Sequence, residues 1–401
     1  MGQTIQVQST QIGDVALFDT DRSLTGQDSH SFAGPSDGDD PPALLSNRLF
    51  DSDPAMRHVH VLSNTVSIER DGGWDQASVA AASSVISNLF VFYNADADPN
   101  DTLREENYNA TISHVRAHND ELWVMKVKPD GNIEGFVPGQ YTTLALGYWE
   151  RRADAAEEEI DDGQRRKLAR RSYSVSSSIV DRDTGELVAS EPGDVEFYVV
   201  KVPPGKEETP ALTPRIFSKE VGDRIFMGRK FTGRYTLEGV VPDDKVVFLS
   251  TGTGEAPQNA MTAELLRGGH RGPILNLVCV RYRDDLAYVP EHEIVQQKWE
   301  NYRYEVLTTR EPENLDNKVY IQDLVRDGTL EELLGGPLDP ADTHVFLCGN
   351  PAMIGLPKWE DDTPIFPEPE GVCELLHERG FTIDHLKTKG NVHYEEYWTE
   401  S

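Results

Sequence analysis

The chain of 401 residues is too long for one comfortable core and suits two domains plus an appendage. It carries 69 Asp and Glu against 38 Lys and Arg, a formal charge of −31, which argues against a nucleic-acid binder because neutralising phosphates needs a cationic face. Three cysteines, Cys279, Cys348 and Cys373, without Cys-x-x-Cys spacing exclude a fused iron–sulfur domain and point to reduced thiols in a cytoplasmic setting.

The N-terminus has no basic stretch followed by an apolar one, and no run approaches the roughly 20 apolar residues of a membrane span, so neither export nor membrane insertion is expected. Met1 to about Pro54 is rich in Asp, Ser, Gly, Gln and Thr, with the breaker Asp37-Gly38-Asp39-Asp40-Pro41-Pro42, and little regular structure is expected there. Further on, His58 to Leu62 and Leu89 to Tyr93 read as strands and Gln76 to Ser87 as a helix. Residues 1–106 are thus an acidic N-terminal extension, partly disordered, of open role.

From Tyr108 the pattern alternates. Thr111 to Arg116, Leu122 to Val127, Tyr141 to Leu146, Arg171 to Ser177, Val195 to Val202 and Arg224 to Gly228 predict a small antiparallel barrel over residues 107–241. Arg151 to Arg170, with Glu157-Glu158-Glu159 and Asp161-Asp162, reads as a solvated insertion or a lid. In Arg171-x-Tyr173-Ser174 a cation, an aromatic ring and a hydroxyl follow one another in an extended strand. Arg suits phosphate and Tyr offers a stacking surface, although from these residues alone an edge strand with a snorkelling Arg is the better reading. Leu212-Thr213-Pro214 is a helix-start signal whose free N–H groups can cap the chain or receive a phosphate.

Residues 242–401 alternate strand and helix. Strands Val246 to Leu249, Ile274 to Val280, Tyr304 to Thr308 and His344 to Leu347 are separated by helices Asn259 to Arg267, Pro290 to Trp299 and Ile321 to Leu334, with Val372 to Glu378 a last helix. This order predicts a parallel sheet with right-handed crossovers and a ligand at the carboxyl ends of its strands. Thr251-Gly252-Thr253-Gly254 follows the first strand, where free backbone N–H groups can hold a pyrophosphate; a tight turn that needs glycine only for its geometry is the alternative. Arg281 and Arg283 follow the second strand, Thr309-Arg310 the third and Cys348-Gly349 the fourth. Arginines there suit the 2′-phosphate of NADP, while Asp284 and Asp285 blur the choice against NAD. Cys348 reads either as a group on a reaction path or as a small buried hydrophobe. His114, His270 and His292 read as solvated or structural.

Taken together, Arg171-x-Tyr173-Ser174, Thr251-Gly252-Thr253-Gly254-x-Ala256-Pro257 and Cys348-Gly349-Asn350-Pro351-x-Met353, in that order, resemble the three signatures of the ferredoxin–NADP reductase superfamily. Phe136-x-Pro138-Gly139-Gln140-Tyr141 adds the early barrel strand and turn, and the finish Asn391 to Trp398 is similar to that of the bacterial ferredoxin or flavodoxin–NADP reductases. The resemblance spans roughly residues 107 to 398. It implies a six-stranded antiparallel FAD-binding barrel followed by a five-stranded parallel NADP-binding domain. It also implies electron transfer between NADP(H) and ferredoxin or flavodoxin through FAD, with another acceptor as the alternative.

In the roles so implied, Arg171 holds the FAD pyrophosphate with Thr213, Tyr173 packs on the flavin, and Ser174 and Cys348 lie by the hydride path. Tyr397 or Trp398 covers part of the flavin dinucleotide. Thr251, Gly252, Thr253, Gly254, Gly349, Met353, Arg281, Arg283 and Arg310 hold NADP. Glu255 departs from the apolar residue more usual in the family, and it either weakens binding of the anionic cofactor or faces solvent. Ferredoxins and flavodoxins are acidic, so docking on this acidic chain calls for a local basic face. Arg165, Arg166, Lys167 and Arg170, or Arg224, Arg229, Lys230 and Arg234, are candidates. A monomer is expected, with an oligomer open through the extension.

Overall fold

A computed structural model describes residues 5–38, 40–90, 98, 100–154, 156, 158, 160–188, 193–203, 209–360, 363–385 and 388–397. Its contacts divide the chain into two units, Met1–Pro99 and Asn100–Ser401.

In the first unit β1 (Val7–Ile12), β2 (Val15–Thr20), β3 (Ser29–Phe32), α1 (Pro41–Ser52), β4 (Met56–Leu62), β5 (Thr65–Arg70) and α2 (Gln76–Ser87) form an antiparallel sheet of order β1-β2-β5-β4-β3 with two helices. Regular structure therefore begins well before Pro54, which corrects the expectation for that stretch. Its polar residues hid the strands: β1 is largely exposed, whereas β2 buries Ala16 and Phe18 in alternation against Leu45, Leu49, Ile68 and Ile86. The Asp40 and Pro41 that read as a breaker start α1, Asp40 accepting the Ala43 N–H at 3.0 Å. The strand expected over Leu89 to Tyr93 is not formed at Leu89 and Phe90, which lie in a turn, and its remainder falls outside the described residues.

The second unit opens with α3 (Asp101–Asn107), β6 (Ala110–Asn119), β7 (Leu122–Pro129), β8 (Tyr141–Gly147), α4 (Asp162–Arg165), β9 (Leu168–Ser174), β10 (Val195–Val200), α5 (Thr213–Ile216) and β11 (Arg224–Met227). Six antiparallel strands run in the order β10-β7-β6-β11-β8-β9 around Ile112, Met125, Leu144, Phe197 and Ile225. There follow β12 (Lys245–Thr251), α6 (Glu255–Arg267), β13 (Ile274–Val280), α7 (Val289–Lys298), β14 (Tyr302–Thr308), α8 (Ile321–Asp327), α9 (Thr329–Leu334), β15 (Thr343–Gly349), α10 (Pro351–Ile354), β16 (Lys358–Glu360), β17 (Thr363–Ile365), α11 (Val372–Glu378) and β18 (Val392–Glu396). β16 and β17 pair as a small hairpin, and the parallel sheet has the order β14-β13-β12-β15-β18.

The parallel strands are apolar on both faces because helices cover both. Val247, Leu249, Leu277, Val345 and Leu347 face α8, α9 and α11, while Val246, Phe248 and Phe346 pack on the side of α6. One helix expected over residues 321 to 334 is two, since Gly328 takes φ +87° between α8 and α9. The barrel and the parallel sheet are locked by Glu291, 1% exposed, which receives Arg116 at 3.0 Å and Arg182 at 2.8 Å. This seam brings the end of β9 against the carboxyl ends of β12, β15 and β18. No described helix is long and apolar enough to cross a membrane.

Candidate functional site

β12 ends at Thr251, turns through Gly252–Gly254 and enters α6 at Glu255. The sequence demands glycine here for a measurable reason: a Cβ on Gly254 would stand 2.4 Å from the carbonyl oxygen of Cys348 on β15. A Cβ on Gly252 would meet open space, so the loop is open on this side. Across the turn, Gly349 at φ +125° lets the chain double back, and its neighbour Asn350 donates its N–H to Thr251 Oγ1 at 2.8 Å. The loop opens on a cavity of about 620 Å³ lined by Thr251, Gly252, Thr253, Arg281, Met353 and Tyr397 among others.

At the barrel side of this edge four groups meet. Ser174, the last residue of β9, donates to Glu395 Oε2 at 3.2 Å. Glu395 lies in register with Cys348 across the β15–β18 pair. The Tyr397 N–H donates to the Gly349 carbonyl at 3.1 Å, and its side chain lies against Ser174 and Cys348. Burial pushes the Glu395 carboxyl up to about 7, which makes it titrate near neutrality, and the Ser174 hydrogen bond pulls the other way. Burial also raises the Cys348 thiol well above its ordinary range, so it stays protonated and packs as a small apolar group. Glu395 was not among the residues singled out from sequence. Its signal was a carboxylate in a strand that lies beside Gly349, within a segment whose aromatic residues drew the attention.

The other expected site residues divide. Tyr173 sits on β9 with its ring edge-on to Phe197 at 6.4 Å, and Arg171, two residues earlier, is exposed with Nη1 on the Arg170 carbonyl at 2.9 Å. Among the described residues no carboxylate pairs with Arg171. Thr213 is the first residue of α5 rather than its cap, which is Leu212, and its hydroxyl accepts the Val202 N–H at 3.1 Å. Arg281 lines the cavity but is held by Asp285 at 3.2 Å. Arg310, exposed, binds the Arg281 carbonyl through its backbone N–H and has no carboxylate partner among the described residues. Arg283 stands apart from the cavity lining, 3.9 Å from Glu293. Tyr320 and Asn350, not anticipated, also line the cavity. Trp398 lies outside the described residues.

Two surroundings differ from expectation. The stretch from Arg151 to Arg170 is no merely solvated insertion: Glu158 receives Arg215 at 2.5 Å and Arg152 at 3.4 Å, and the Arg215 side chain is 1% exposed. Its Glu157 and Glu159 lie outside the described residues. α6 starts four residues earlier than the expected Asn259, so Glu255 is enclosed rather than solvent-facing; His292 is buried beside it.

Residues 248–357 match the oxidoreductase NAD-binding domain family. The chain is 26% identical over 299 residues to the flavodoxin/ferredoxin–NADP reductase of Buchnera aphidicola subsp. Schizaphis graminum, covering 72% of this chain and 98% of that protein. It is 30% identical over 247 residues to the flavodoxin/ferredoxin–NADP reductase of Escherichia coli K12, covering 61% and 85%. In fold it is similar to a ferredoxin NADP+ reductase from Neisseria gonorrhoeae solved with bound FAD and NADP, with a TM-score of 0.53 and 18% identity over 72% of this chain and 98% of that one.

Proposed function

The chain belongs to the flavodoxin/ferredoxin–NADP reductase family, and on that premise we propose that it is an FAD-dependent oxidoreductase passing electrons between NADP(H) and ferredoxin or flavodoxin. The observation that carries the reading is that Tyr397 lines the cavity onto which the Gly252 loop opens and, behind it, touches Ser174 and Cys348, with Ser174 bonded to Glu395. When bound, FAD supplies the flavin N5 that exchanges hydride with nicotinamide C4, and the single-electron steps to the protein carrier.

The residues present fit both dinucleotides. Arg171, with donors free of any described carboxylate, would hold the FAD pyrophosphate, and Tyr173 would offer its ring to the flavin. The N–H groups of the Gly252 turn and the start of α6 would receive the NADP pyrophosphate. Arg310 supports NADP over NAD, because a guanidinium without a carboxylate partner among the described residues, beside the cavity's strand ends, favours an extra phosphate; Arg281, already tied to Asp285, contributes less. Ser174 and Glu395 hold a proton between Oγ and Oε2 next to the reaction space, and the Tyr397 side chain excludes water from it. We assign residues 107–241 to FAD and 242–401 to NADP. Three buried free thiols suit a reducing cytoplasm.

Purified protein is expected to be yellow, to oxidise NADPH faster than NADH, and to reduce cytochrome c weakly until ferredoxin or flavodoxin is added. A colourless preparation that also fails to take up FAD overturns the reading. Cytochrome c reduction indifferent to either carrier moves the function to another acceptor.

A further inference from the structure

β1 forms one edge of the five-stranded sheet in the first unit, and among the described residues no strand pairs with its outer side. Every residue from Gln8 to Ile12 is exposed. In an antiparallel ladder alternate residues turn N–H and C=O away from the one neighbour, so this edge offers a row of unused donors and acceptors. Charge ordinarily blunts such an edge. The edges of the other two large sheets follow that rule: β14 carries Arg303 and Glu305, β18 Glu395 and Glu396, β9 Arg170 and Arg171, and β10 Glu196. β1, Val-Gln-Ser-Thr-Gln-Ile, carries no charge, and the first charged side chain of the chain is Asp14. The opposite edge of the same sheet, β3, is also uncharged, but it has four residues and follows directly on Asp28.

α2 packs on β1, and the Ser87 carbonyl at its end receives the Ile5 N–H at 2.9 Å. All twelve residues of this helix are neutral too, with Ala77, Ala80, Ala81 and Ser84 exposed. An uncharged strand edge beside an uncharged helix is set in a chain where 27% of residues are charged and the formal total is −31. That total decides the occupant. Two copies repel wherever carboxylates face each other, so they can meet closely only on a surface without them. A different partner, steered in by the acidic body, would bring a cationic face that finds no counter-charge on this edge.

We propose that the outer edge of β1 is the docking surface for a second copy of this chain, β1 pairing antiparallel with its own copy so that two five-stranded sheets continue into one of ten strands. Two-fold symmetry constrains the register. The axis runs perpendicular to the sheet, so one residue of β1 lies opposite itself, and both α2 helices fall on the same face, flanking the axis. The middle of β1 is Ser9 or Thr10, and either choice sets a hydroxyl opposite a hydroxyl, a favourable cross-strand pair. Centred on Ser9, Gln8 meets Thr10 and Val7 meets Gln11. Centred on Thr10, Ser9 meets Gln11 and Gln8 meets Ile12, whose side chain is 64% exposed in the single chain.

The test is sedimentation velocity of the full-length chain over a range of protein and salt concentrations. Wild type is expected to dimerise with a Kd on the order of 10 μM at about 0.3 M NaCl. At about 20 mM NaCl the dimer should weaken several-fold, because the acidic bodies repel over a longer Debye length. Ser9→Asp with Thr10→Asp, and Ser9→Lys with Thr10→Lys, set like charges on or beside the axis in either register. Each double variant is expected to be monomeric, and an equimolar mixture of the two is expected to restore a dimer, which a merely structural role of β1 would not do. Both side chains are exposed, and circular dichroism checks that the fold is kept. Should a variant unfold, hydrogen exchange of the wild-type β1 amides decides: protection that grows with protein concentration supports the pairing, and protection independent of it overturns it. A wild type that stays monomeric to about 200 μM at about 0.3 M NaCl overturns the proposal. So does a dimer indifferent to both variants, or a mixture of folded variants that stays monomeric.

Discussion

Glu395 shows how one carboxyl group acquires a pH dependence from its position. Its folded pKa, pushed to about 7 by burial, lies above the ordinary carboxyl value of 4.5, so the folded apoprotein binds this proton more tightly than the unfolded chain. The stability this lends is complete below about pH 4.5 and is lost as pH rises through 7, up to roughly 3 kcal/mol across the window. Glu395→Gln should remove that slope, read by urea unfolding of the FAD-free protein at pH 5, 6, 7 and 8; an unchanged slope rejects the assignment. Ser174→Ala acts with the opposite sign from screening, because the lost hydroxyl donor had favoured the charged carboxylate. The titration should move upward in that variant. Ser174 was legible because it sits in a short motif with an arginine and a tyrosine. Its partner was not, since the two are 221 residues apart and meet only through the register of β15 with β18.

At the scale of elements, two tethers shape the site. β18 hands the chain to Tyr397, whose N–H on the Gly349 carbonyl fixes the side chain between Ser174 and Cys348. Deleting residues 397 to 401 should open this end of the cavity and weaken discrimination against NADH, raising its kcat/KM several-fold while FAD stays bound; unchanged NADPH and NADH kinetics would show that the tail takes no part. The second tether is Glu158, which alone among the described residues gives the buried Arg215 a carboxylate. Glu158→Ala leaves that guanidinium uncompensated, for an expected loss of about 3 kcal/mol in the unfolding of this unit. Glu158→Asp, shorter by one methylene, should lose less. Strands β12, β13 and β15 announced themselves because apolar runs bounded by glycine turns have few other uses. The split between α8 and α9 turned on one left-handed glycine inside an otherwise continuous helical pattern, and β1 and β3 were masked by polar residues on an exposed face. The docking of Glu158 could not be read locally, since a run of acids looks alike whether solvated or paired to a distant arginine.

For the whole molecule the charge of −31 sets how an acidic carrier can approach. Arg224, one of the candidate docking cations, is committed to Asp130 and Thr111. Arg166, Lys167, Arg229 and Lys230 are exposed, and Arg170 lies over the Phe226 ring, with β9 and β11 both flanking β8. The two opposing fields have different ranges. At about 10 mM salt the Debye length is near 30 Å, so an approaching ferredoxin or flavodoxin feels the whole acidic body and is repelled. At about 0.1 M it falls to near 10 Å, which cancels the distant charges while the basic edge still acts on a partner in contact. Near 1 M it is roughly 3 Å, and the edge is screened too. The carrier-dependent rate should therefore rise and then fall with salt, whereas NADPH oxidation by a small uncharged acceptor should show no such maximum. Replacing Arg166, Lys167, Arg229 and Lys230 by Gln should abolish the maximum and leave a rate that only climbs as repulsion is screened. A monotonic fall in the unsubstituted protein would mean that the local basic edge outweighs the body at every distance.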